Sequence, residues 1–472
     1  MAALLALVLS ALLFATFLHL ERTGRQLQVV LWLLALLVVE SGLWPDPNTI
    51  PAGLVHPSIG GSNFRLLDTV VLAAIAAHLL VRGIPNRLRA TDACWLLFFG
   101  WMLTAAVVGV LVQNDRVLLV YEAKAFAYLG VMWVASGVPA HQWRGPALPR
   151  FLIIVGAGVA VLLLVDQSGL ARPINLPLLS SPNAGRIGSD AATVFGTLGV
   201  LACVRALHES RRRFLLLAAS VPLLLSALAA GQRAAMIGTG CAVLFCVVVL
   251  AITRQHVRVP LGELVVIGLL AGALVAAPVL LGALGGKAPS VPLTTTVEQA
   301  LHSRGKQLSS QGRVNQWREV RPLLAERLVQ GHGLGKTYAY YEPGPAEFVV
   351  SDVTHNVVLD VLLRMGLVGV LLFLAAVTST VVDGLRVVRR SLEPLVSATA
   401  LAATAGVVGW AAKGMVESLF EKYRLALLLG LLVGMVCSLS RSHDPSSDPE
   451  DDWDASLMAI GHQPTPAAGA AT

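Results

Sequence analysis

The run MGLVGVLLFLAAVTSTVV, residues 365–382, contains no charged residue. About 20 residues of this kind cross a bilayer as an α-helix. Because backbone groups in lipid are satisfied only within a helix or a closed barrel, and no alternating strand pattern is present, we predict an all-α fold. The quoted stretch belongs to an apolar run that begins near residue 355. Including this run, apolar runs begin near residues 3, 29, 67, 94, 117, 151, 191, 214, 234, 261, 355, 394 and 423. The sequence therefore predicts a polytopic integral membrane protein with about 12–13 transmembrane helices.

The composition excludes a soluble domain. Of the 472 residues 56% are hydrophobic and 13% are charged, and the mean hydropathy is +0.72. The first apolar run has no basic segment before it and no clear cleavage site before Glu21, so we expect a retained span and not a signal peptide. The five cysteines lie inside predicted spans without metal-ligand spacing, which predicts small core residues: Cys94, Cys203, Cys241, Cys246 and Cys437.

Basic residues near span ends stay on the cytoplasmic side, so their distribution predicts the orientation. Alternate short loops are rich in arginine, for example at residues 82–89, 205–213 and 386–390. Assigning these loops to the cytoplasm places the long polar segment, residues 284–354, outside. The net charge of +7 is then explained by anchoring arginines and predicts no nucleic-acid partner.

Four regions follow from this topology. Residues 1–283 hold about ten transmembrane helices, and residues 284–354 form one large extracytoplasmic loop with amphipathic helices. Residues 355–440 hold about three further transmembrane helices. Residues 441–472 are rich in Ser, Asp, Pro and Ala and predict a disordered cytoplasmic tail.

Ionisable residues within spans concentrate toward the predicted outer side. Glu122 and Lys124 either face a watery cavity or pair between helices. Asn356, Asp360 and Arg364 recur at i, i+4 and i+8, so they share one helix face, and Asp360 can pair with Arg364. For that pair we favour a structural role.

Three arginines lie at predicted outer positions without an acidic neighbour in sequence: Arg186, Arg233 and Arg313. The planar, permanently charged guanidinium group suits phosphate oxygens. A single arginine at a membrane interface usually contacts lipid headgroups. Three on the face that carries the polar loop favour an anion site.

The polar loop contains two further patterns. Trp317, Val320, Leu324 and Leu328 recur at i, i+3, i+7 and i+11 and predict the apolar face of an amphipathic helix, with a possible kink at Pro322. The sequence GHGLGKT, residues 331–337, lacks the first glycine of a nucleotide-binding loop and the strand that should precede it. We therefore predict no nucleotide partner.

His355 lies where the loop meets the next span, and Ser351, Asp352 or Thr354 can cap that helix. Near an arginine cluster, a neutral imidazole can accept a proton from an attacking hydroxyl while the arginines stabilise a departing phosphate. The alternative role is a hydrogen bond to phosphate or to a sugar hydroxyl.

Over about residues 180–435 the chain resembles the O-antigen ligase and polymerase superfamily of bacterial envelope glycan assembly. Arg186 and Gly188 resemble a further arginine turn of the family, although Ser189-Asp190 replaces the Asn-rich sequence that often follows. The other motifs that carry the resemblance are, in order, Gln232-Arg233-Ala234, Gly312-Arg313 with Trp317, Gly331-His332-Gly333-Leu334-Gly335, and His355-Asn356 with Gly366.

The resemblance implies a metal-independent, inverting glycosyltransferase of the bacterial cytoplasmic (inner) membrane, without a cofactor. Its donor would be a glycan on a polyprenyl (undecaprenyl-type) pyrophosphate, and its acceptor a hydroxyl of a glycan or glycolipid at the outer face. Arg233, Arg313 and, less directly, Arg186 would bind the pyrophosphate, and His355 would activate or orient the acceptor. The residues expected to support this site are Asn356, Trp317, Asp352, Glu122 and Lys124.

Three alternatives stay open at this point. A polymerase of the same superfamily would join lipid-linked repeat units and would carry the same motifs. A transporter or flippase of lipid-linked glycans should distribute polar residues through the membrane midplane and often shows related halves. A non-catalytic assembly protein would tolerate loss of Arg313 or His355.

Overall fold

The protein is described by a computed structural model covering residues 2–43, 58–59, 62–63, 66–83, 88–168, 187–230, 232–253, 304–343, 346–352, 354–420 and 422–442. Two antiparallel strand pairs interrupt the helices, β1 (Ser58–Ile59) with β2 (Ser62–Asn63) and β3 (Tyr338–Glu342) with β4 (Glu347–Ser351). The helices are α1 (Ala2–Arg22), α2 (Gln26–Leu43), α3 (Leu66–Val81), α4 (Ala90–Leu111), α5 (Arg116–Leu129), α6 (Val131–Ser136), α7 (Ala140–Arg144), α8 (Ala147–Ser168), α9 (Ser189–Ala206), α10 (Arg213–Ala229), α11 (Arg233–Ile252), α12 (Arg304–Glu326), α13 (Val357–Arg390), α14 (Pro394–Gly414) and α15 (Tyr423–Arg441).

The predicted all-α polytopic membrane protein is confirmed. In the ranges just given, nine helices are long and apolar enough to cross a membrane, and two shorter apolar helices accompany them. Every predicted apolar run except the one near residue 261 coincides with a helix. That run lies outside the described residues, as do Arg186, residues 284–303 of the predicted loop and residues 443–472 of the predicted tail.

Helix α15 forms the centre of the bundle. Its residues from Tyr423 to Ser440 are all buried, although the helix is apolar enough to face lipid. Glycines let neighbouring backbones approach it closely. A Cβ atom added to Gly434 would lie 2.3 Å from the carbonyl oxygen of Met132 in α6. Close packing of small residues of this kind stabilises helix association inside a membrane, where the hydrophobic effect contributes little.

Helix α13 has 34 residues, so its length of about 51 Å exceeds the hydrocarbon thickness of about 30 Å. Its backbone breaks at Gly366, where φ is 65° and ψ is −170°. A residue with a side chain rarely adopts this conformation. The break separates residues 367–390, which are long enough to span the bilayer, from a short first section at residues 357–365.

A loop at residues 328–335, which we call the glycine loop, fills the break. A break in a helix leaves backbone groups without partners, and inside a membrane protein these must be paired by other protein groups. Here the glycine loop and one tryptophan supply these partners. Three carbonyl groups of α13 accept hydrogen bonds, and two of its N–H groups donate them. The bonds are His332 N to Leu363 O at 2.8 Å, Gly333 N to Arg364 O at 2.9 Å, Trp101 Nε1 to Met365 O at 2.7 Å, Leu367 N to Leu328 O at 2.8 Å and Val368 N to Val329 O at 3.5 Å.

The backbone conformation of this loop and its close contacts require glycine. Gly331, Gly333 and Gly335 all have positive φ angles, and a Cβ atom on Gly333 would lie 2.3 Å from the backbone nitrogen of Gly109. The N–H groups that a phosphate-binding loop would offer are already used, because those of residues 332–335 all donate to protein acceptors. The loop is a structural wedge between α4, α5 and α13.

Two local predictions were partly wrong. Helix α12 exists, and Val320 and Leu324 lie on its packed face as predicted, but Trp317 and Leu328 are 41% and 47% exposed. Within residues 311–326 the other buried positions are Gly312 and Gln316. The β3–β4 hairpin determines which face of α12 is buried, because Val320 packs against Tyr338 and Tyr340 of the hairpin. The predicted absence of alternating strands overlooked this hairpin, whose β3 alternates between buried and exposed residues.

We expect Gly333→Ala to lower the free energy of unfolding by about 2–4 kcal/mol, because the new Cβ meets backbone and the φ angle is unfavourable. Gly100→Ala is the matched control, since Gly100 in α4 has open space around it. Thermal unfolding of both variants in detergent checks this. Equal midpoints for the two variants would show that the glycine loop tolerates a side chain.

Candidate functional site

The candidate site surrounds His355, in the turn between β4 and α13. His355 has a φ angle of 51°, a left-handed conformation that costs energy in any residue other than glycine. Its side chain is half-buried, and its Nδ1 atom makes no hydrogen bond within the described part of the chain. A strained residue of this kind persists only where its surroundings hold it, which makes the turn a candidate for function.

Neighbouring side chains hold this turn in place. The predicted cap residues Ser351, Asp352 and Thr354 were the wrong choice, because the Asn356 side chain caps α13 by accepting from the N–H groups of residues 358 and 359 at 3.0 and 3.1 Å. The Asn356 amide also donates to the carbonyl of Met415 at 2.9 Å. The cap thereby ties the turn to the α14–α15 connection.

Trp317 fixes the other side of the turn. Its indole Nε1 donates to the Thr354 carbonyl at 3.1 Å, and the Thr354 hydroxyl donates to the Asn356 carbonyl at 2.9 Å. The predicted supporting residues Trp317 and Asn356 are therefore both in the structure around His355. They act on the backbone of the turn.

Arg313 brings a positive charge to the same place. Its Nη1 donates to the Val416 carbonyl at 2.8 Å, and its buried Nε has no partner among the described residues. The preceding Gly312 leaves room for a carboxylate, because a Cβ atom there would lie 2.8 Å from Oε1 of Glu342. Burial lowers the pKa of His355, and the Arg313 cation lowers it further. The imidazole is therefore held neutral beside a cation.

Arg233 begins α11 at the same end of the bundle. Five residues later, Gly238 packs so closely on α14 that an added Cβ would lie 2.9 Å from the carbonyl oxygen of Gly409 and 3.1 Å from Cβ of Lys413. The start of α11 is thus adjacent to the end of α14, whose following segment carries Val416. Arg186, the third predicted arginine, lies outside the described residues.

A charged cluster that the sequence reasoning missed lies beside this site. Lys413 is fully buried at the end of α14 and contacts Thr193 Oγ1 at 2.8 Å, Ser189 Oγ at 3.0 Å and Glu417 at 3.3 Å. Lys422 contacts Asp190 at 3.2 Å and also pairs with Glu417. The cluster joins the start of α9 to the α14–α15 connection.

The charges in this cluster influence one another and His355. Burial raises the pKa of Glu417, but the Lys422 and Lys413 cations outweigh it and hold the value at about 2. Glu417 remains a carboxylate and raises the pKa of His355, whereas Lys422 lowers it. The available sequence signal was the excess of lysine and arginine at residues 413–424, because the other loops predicted on that side are weakly basic.

The remaining predicted residues divide into two groups. Glu122 pairs with Arg364 at 2.8 Å and accepts from the Gly335 N–H at 2.9 Å, so it lies behind the His355 turn. Lys124 instead pairs with Asp68 at 2.8 Å on the side of α3. The structure therefore assigns Lys124 a partner between helices and does not bring it to His355.

The arrangement combines a proton acceptor with fixed cations. Arg313 and Lys422 can stabilise an anion, and the neutral imidazole can accept a proton from a hydroxyl. In the described ranges, no group of three or more His, Cys, Asp or Glu side chains is placed to bind a metal ion. His355, Arg313 and Lys422 can supply acid–base and electrostatic catalysis.

Part of the chain matches a known protein family. Residues 218–374 match the family model described as O-Antigen ligase. This range begins in α10, ends within α13, and contains Arg233, Arg313 and His355. A search of curated proteins gives no match.

We expect Lys413→Met to lower the free energy of unfolding by about 3 kcal/mol, because it leaves buried carboxylates with one cation fewer. Arg144→Met is the control, since Arg144 pairs with Glu393 at 2.7 Å where both side chains are more than 40% exposed, and such pairs contribute about 0–1 kcal/mol. Thermal unfolding in detergent compares the two. A similar loss in both variants would contradict a stabilising role for the buried cluster.

Proposed function

This chain belongs to the O-antigen ligase and polymerase superfamily, and from this premise we propose that it is a membrane glycosyltransferase. It transfers a glycan from a polyprenyl pyrophosphate donor to an acceptor hydroxyl at the outer face of the bacterial cytoplasmic membrane. The observation that carries this proposal is the neutral, strained His355 beside the Arg313 cation within the matched range.

In the proposed reaction, the acceptor oxygen attacks the anomeric carbon of the donor glycan. The bond from that carbon to the pyrophosphate oxygen breaks, and the lipid pyrophosphate leaves with the electron pair. His355 takes the proton of the acceptor hydroxyl. A direct displacement of this kind inverts the configuration at the anomeric carbon.

The arginines stabilise the leaving group. Charge accumulates on the pyrophosphate oxygens as the bond breaks, and fixed cations in a partly buried site stabilise that charge without reorganising. Arg313 and Arg233 supply these cations, and Arg186 is a third candidate. Cationic side chains can thus replace the metal ion that many transferases use with nucleotide donors.

The acceptor distinguishes two forms of this function. Transfer to a lipid-anchored core glycan makes the protein a ligase, and transfer to a second lipid-linked glycan makes it a polymerase. The same site serves both, since each acceptor presents a hydroxyl. We propose the ligase, with the polymerase as the alternative that product size can reveal.

The transfer assay uses purified protein in detergent with a chelator and a synthetic polyprenyl pyrophosphate oligosaccharide. We expect turnover by the wild type, and a loss of about 100-fold or more for His355→Ala and Arg313→Ala. Arg327→Ala is the control, because Arg327 follows α12 at the end farther from Gly312 and lies outside the proposed binding set.

The product pattern decides between the alternatives. A single added glycan supports ligation, whereas a ladder of repeats supports polymerisation. Full turnover by both His355→Ala and Arg313→Ala would contradict the proposed roles. A folded wild type inactive with several acceptors would favour the transporter of lipid-linked glycans.

The proposed orientation makes a separate prediction. In a variant without the native cysteines, Phe348→Cys on β4 should react with a membrane-impermeant maleimide in intact spheroplasts. Leu392→Cys, between α13 and α14, should react only after permeabilisation. Both positions suit labelling, because Phe348 is 76% and Leu392 is 97% exposed. The reverse pattern would place the His355 site on the cytoplasmic side.

A further inference from the structure

Arg364 lies directly behind the His355 turn. It is in the first section of α13, two helical turns after the Asn356 cap, and is 4% exposed. A side chain enclosed in this way has no access to a substrate. Any effect on the reaction must therefore pass through the groups that it contacts.

The guanidinium group joins three parts of the chain. Its Nη1 pairs with the Asp360 carboxylate one turn earlier in α13. Its Nη2 pairs with Glu122 of α5 at 2.8 Å and also donates to the backbone carbonyl of Asp352. The pairing with Asp360 agrees with the prediction from sequence, but the contact with Asp352 extends the network to the turn.

The Asp352 carbonyl is three residues before His355. Trp317 holds the Thr354 carbonyl just before His355, and Asn356 holds the backbone just after it, so contacts fix the chain on both sides of the strained histidine. Without the Arg364 contact, the segment preceding His355 loses one of the contacts that hold it. A left-handed non-glycine residue can then relax toward an ordinary backbone conformation.

Glu122 fixes the guanidinium in turn. The same carboxylate accepts from the N–H of Gly335 in the glycine loop at 2.9 Å. The glycine loop is thereby connected to Arg364, and through Arg364 to the His355 turn. A lysine cannot replace this group, since one ammonium on a flexible chain does not reproduce the planar fork of donors.

We propose that Arg364 is a positioning residue for His355, anchored by Glu122. It sets the backbone of the turn so that the imidazole meets the acceptor hydroxyl. Its action on catalysis rests on the proposed glycosyl transfer, whereas its action on the turn does not.

The test compares Arg364→Met, Arg364→Lys and Arg386→Met in the full-length protein in detergent. Arg386 is the matched control, because it pairs with Asp383 at 2.9 Å in the same helix but at the opposite end and is largely exposed. Hydrogen–deuterium exchange of the peptide covering residues 351–358 is measured first. We expect faster exchange in both Arg364 variants and unchanged exchange in Arg386→Met.

The transfer assay supplies the second readout. We expect kcat to fall about 10- to 100-fold in both Arg364 variants, with KM for the donor changed by less than about threefold, because misplacement of a catalytic group slows the chemical step. A residue that only compensates charge would be rescued by lysine. Wild-type kcat in Arg364→Lys would therefore overturn the proposal.

If the Arg364 variants do not fold, Glu122→Gln tests whether the ion pair positions the His355 turn. Glutamine keeps the shape and an acceptor for Gly335 but loses the ion pair, so exchange at residues 351–358 should still accelerate. Unchanged exchange would overturn the proposal. Accelerated exchange in a protein whose wild type shows no transfer would instead contradict glycosyl transfer and leave the positioning of the turn supported.

Discussion

The break in α13 at Gly366 imposes the constraint on which the part of the structure around the His355 turn depends. The backbone groups that it frees cannot be left to lipid, so a second segment must supply their partners. The glycine loop does so, and it approaches α4 closely between the end of α12 and the start of β3. Helix α12, which carries Arg313, is therefore followed directly by the segment that pairs with the broken backbone of α13.

Buried charges serve different purposes at the two ends of the bundle. At the predicted inner end, Arg205 is fully buried and donates to the carbonyls of Trp143 at 2.7 Å and Arg144 at 3.0 Å, which caps the short helix α7. At the other end, Lys413 and Arg364 pair with carboxylates that border the His355 turn. The Arg205 contacts stabilise the position of α7, whereas the charges near Lys413 and Arg364 also influence the electrostatic environment of His355.

The sequence predicted those features that local pattern determines. Apolar length located the helices, and the motif order placed Arg313 and His355 in the same region. The bond from the Asn356 amide to the Met415 carbonyl joins residues that are distant in sequence, and Gln316 contacts Tyr340 of the hairpin. The Lys413 cluster was missed for the same reason, since its partners come from α9 and from the α14–α15 connection. Periodicity along one helix contains no information about such partners.

The proposed reaction makes conflicting demands on the site. The leaving pyrophosphate needs cations, but Arg313 and Lys422 also lower the pKa of His355 and so weaken it as a base. Glu417 and Glu342 act in the opposite direction and stabilise the imidazolium that forms as the proton arrives. The negative donor would further offset the cations while it is bound. A site with mixed charges around one histidine can therefore bind the anion and still accept the proton, which cations alone would oppose.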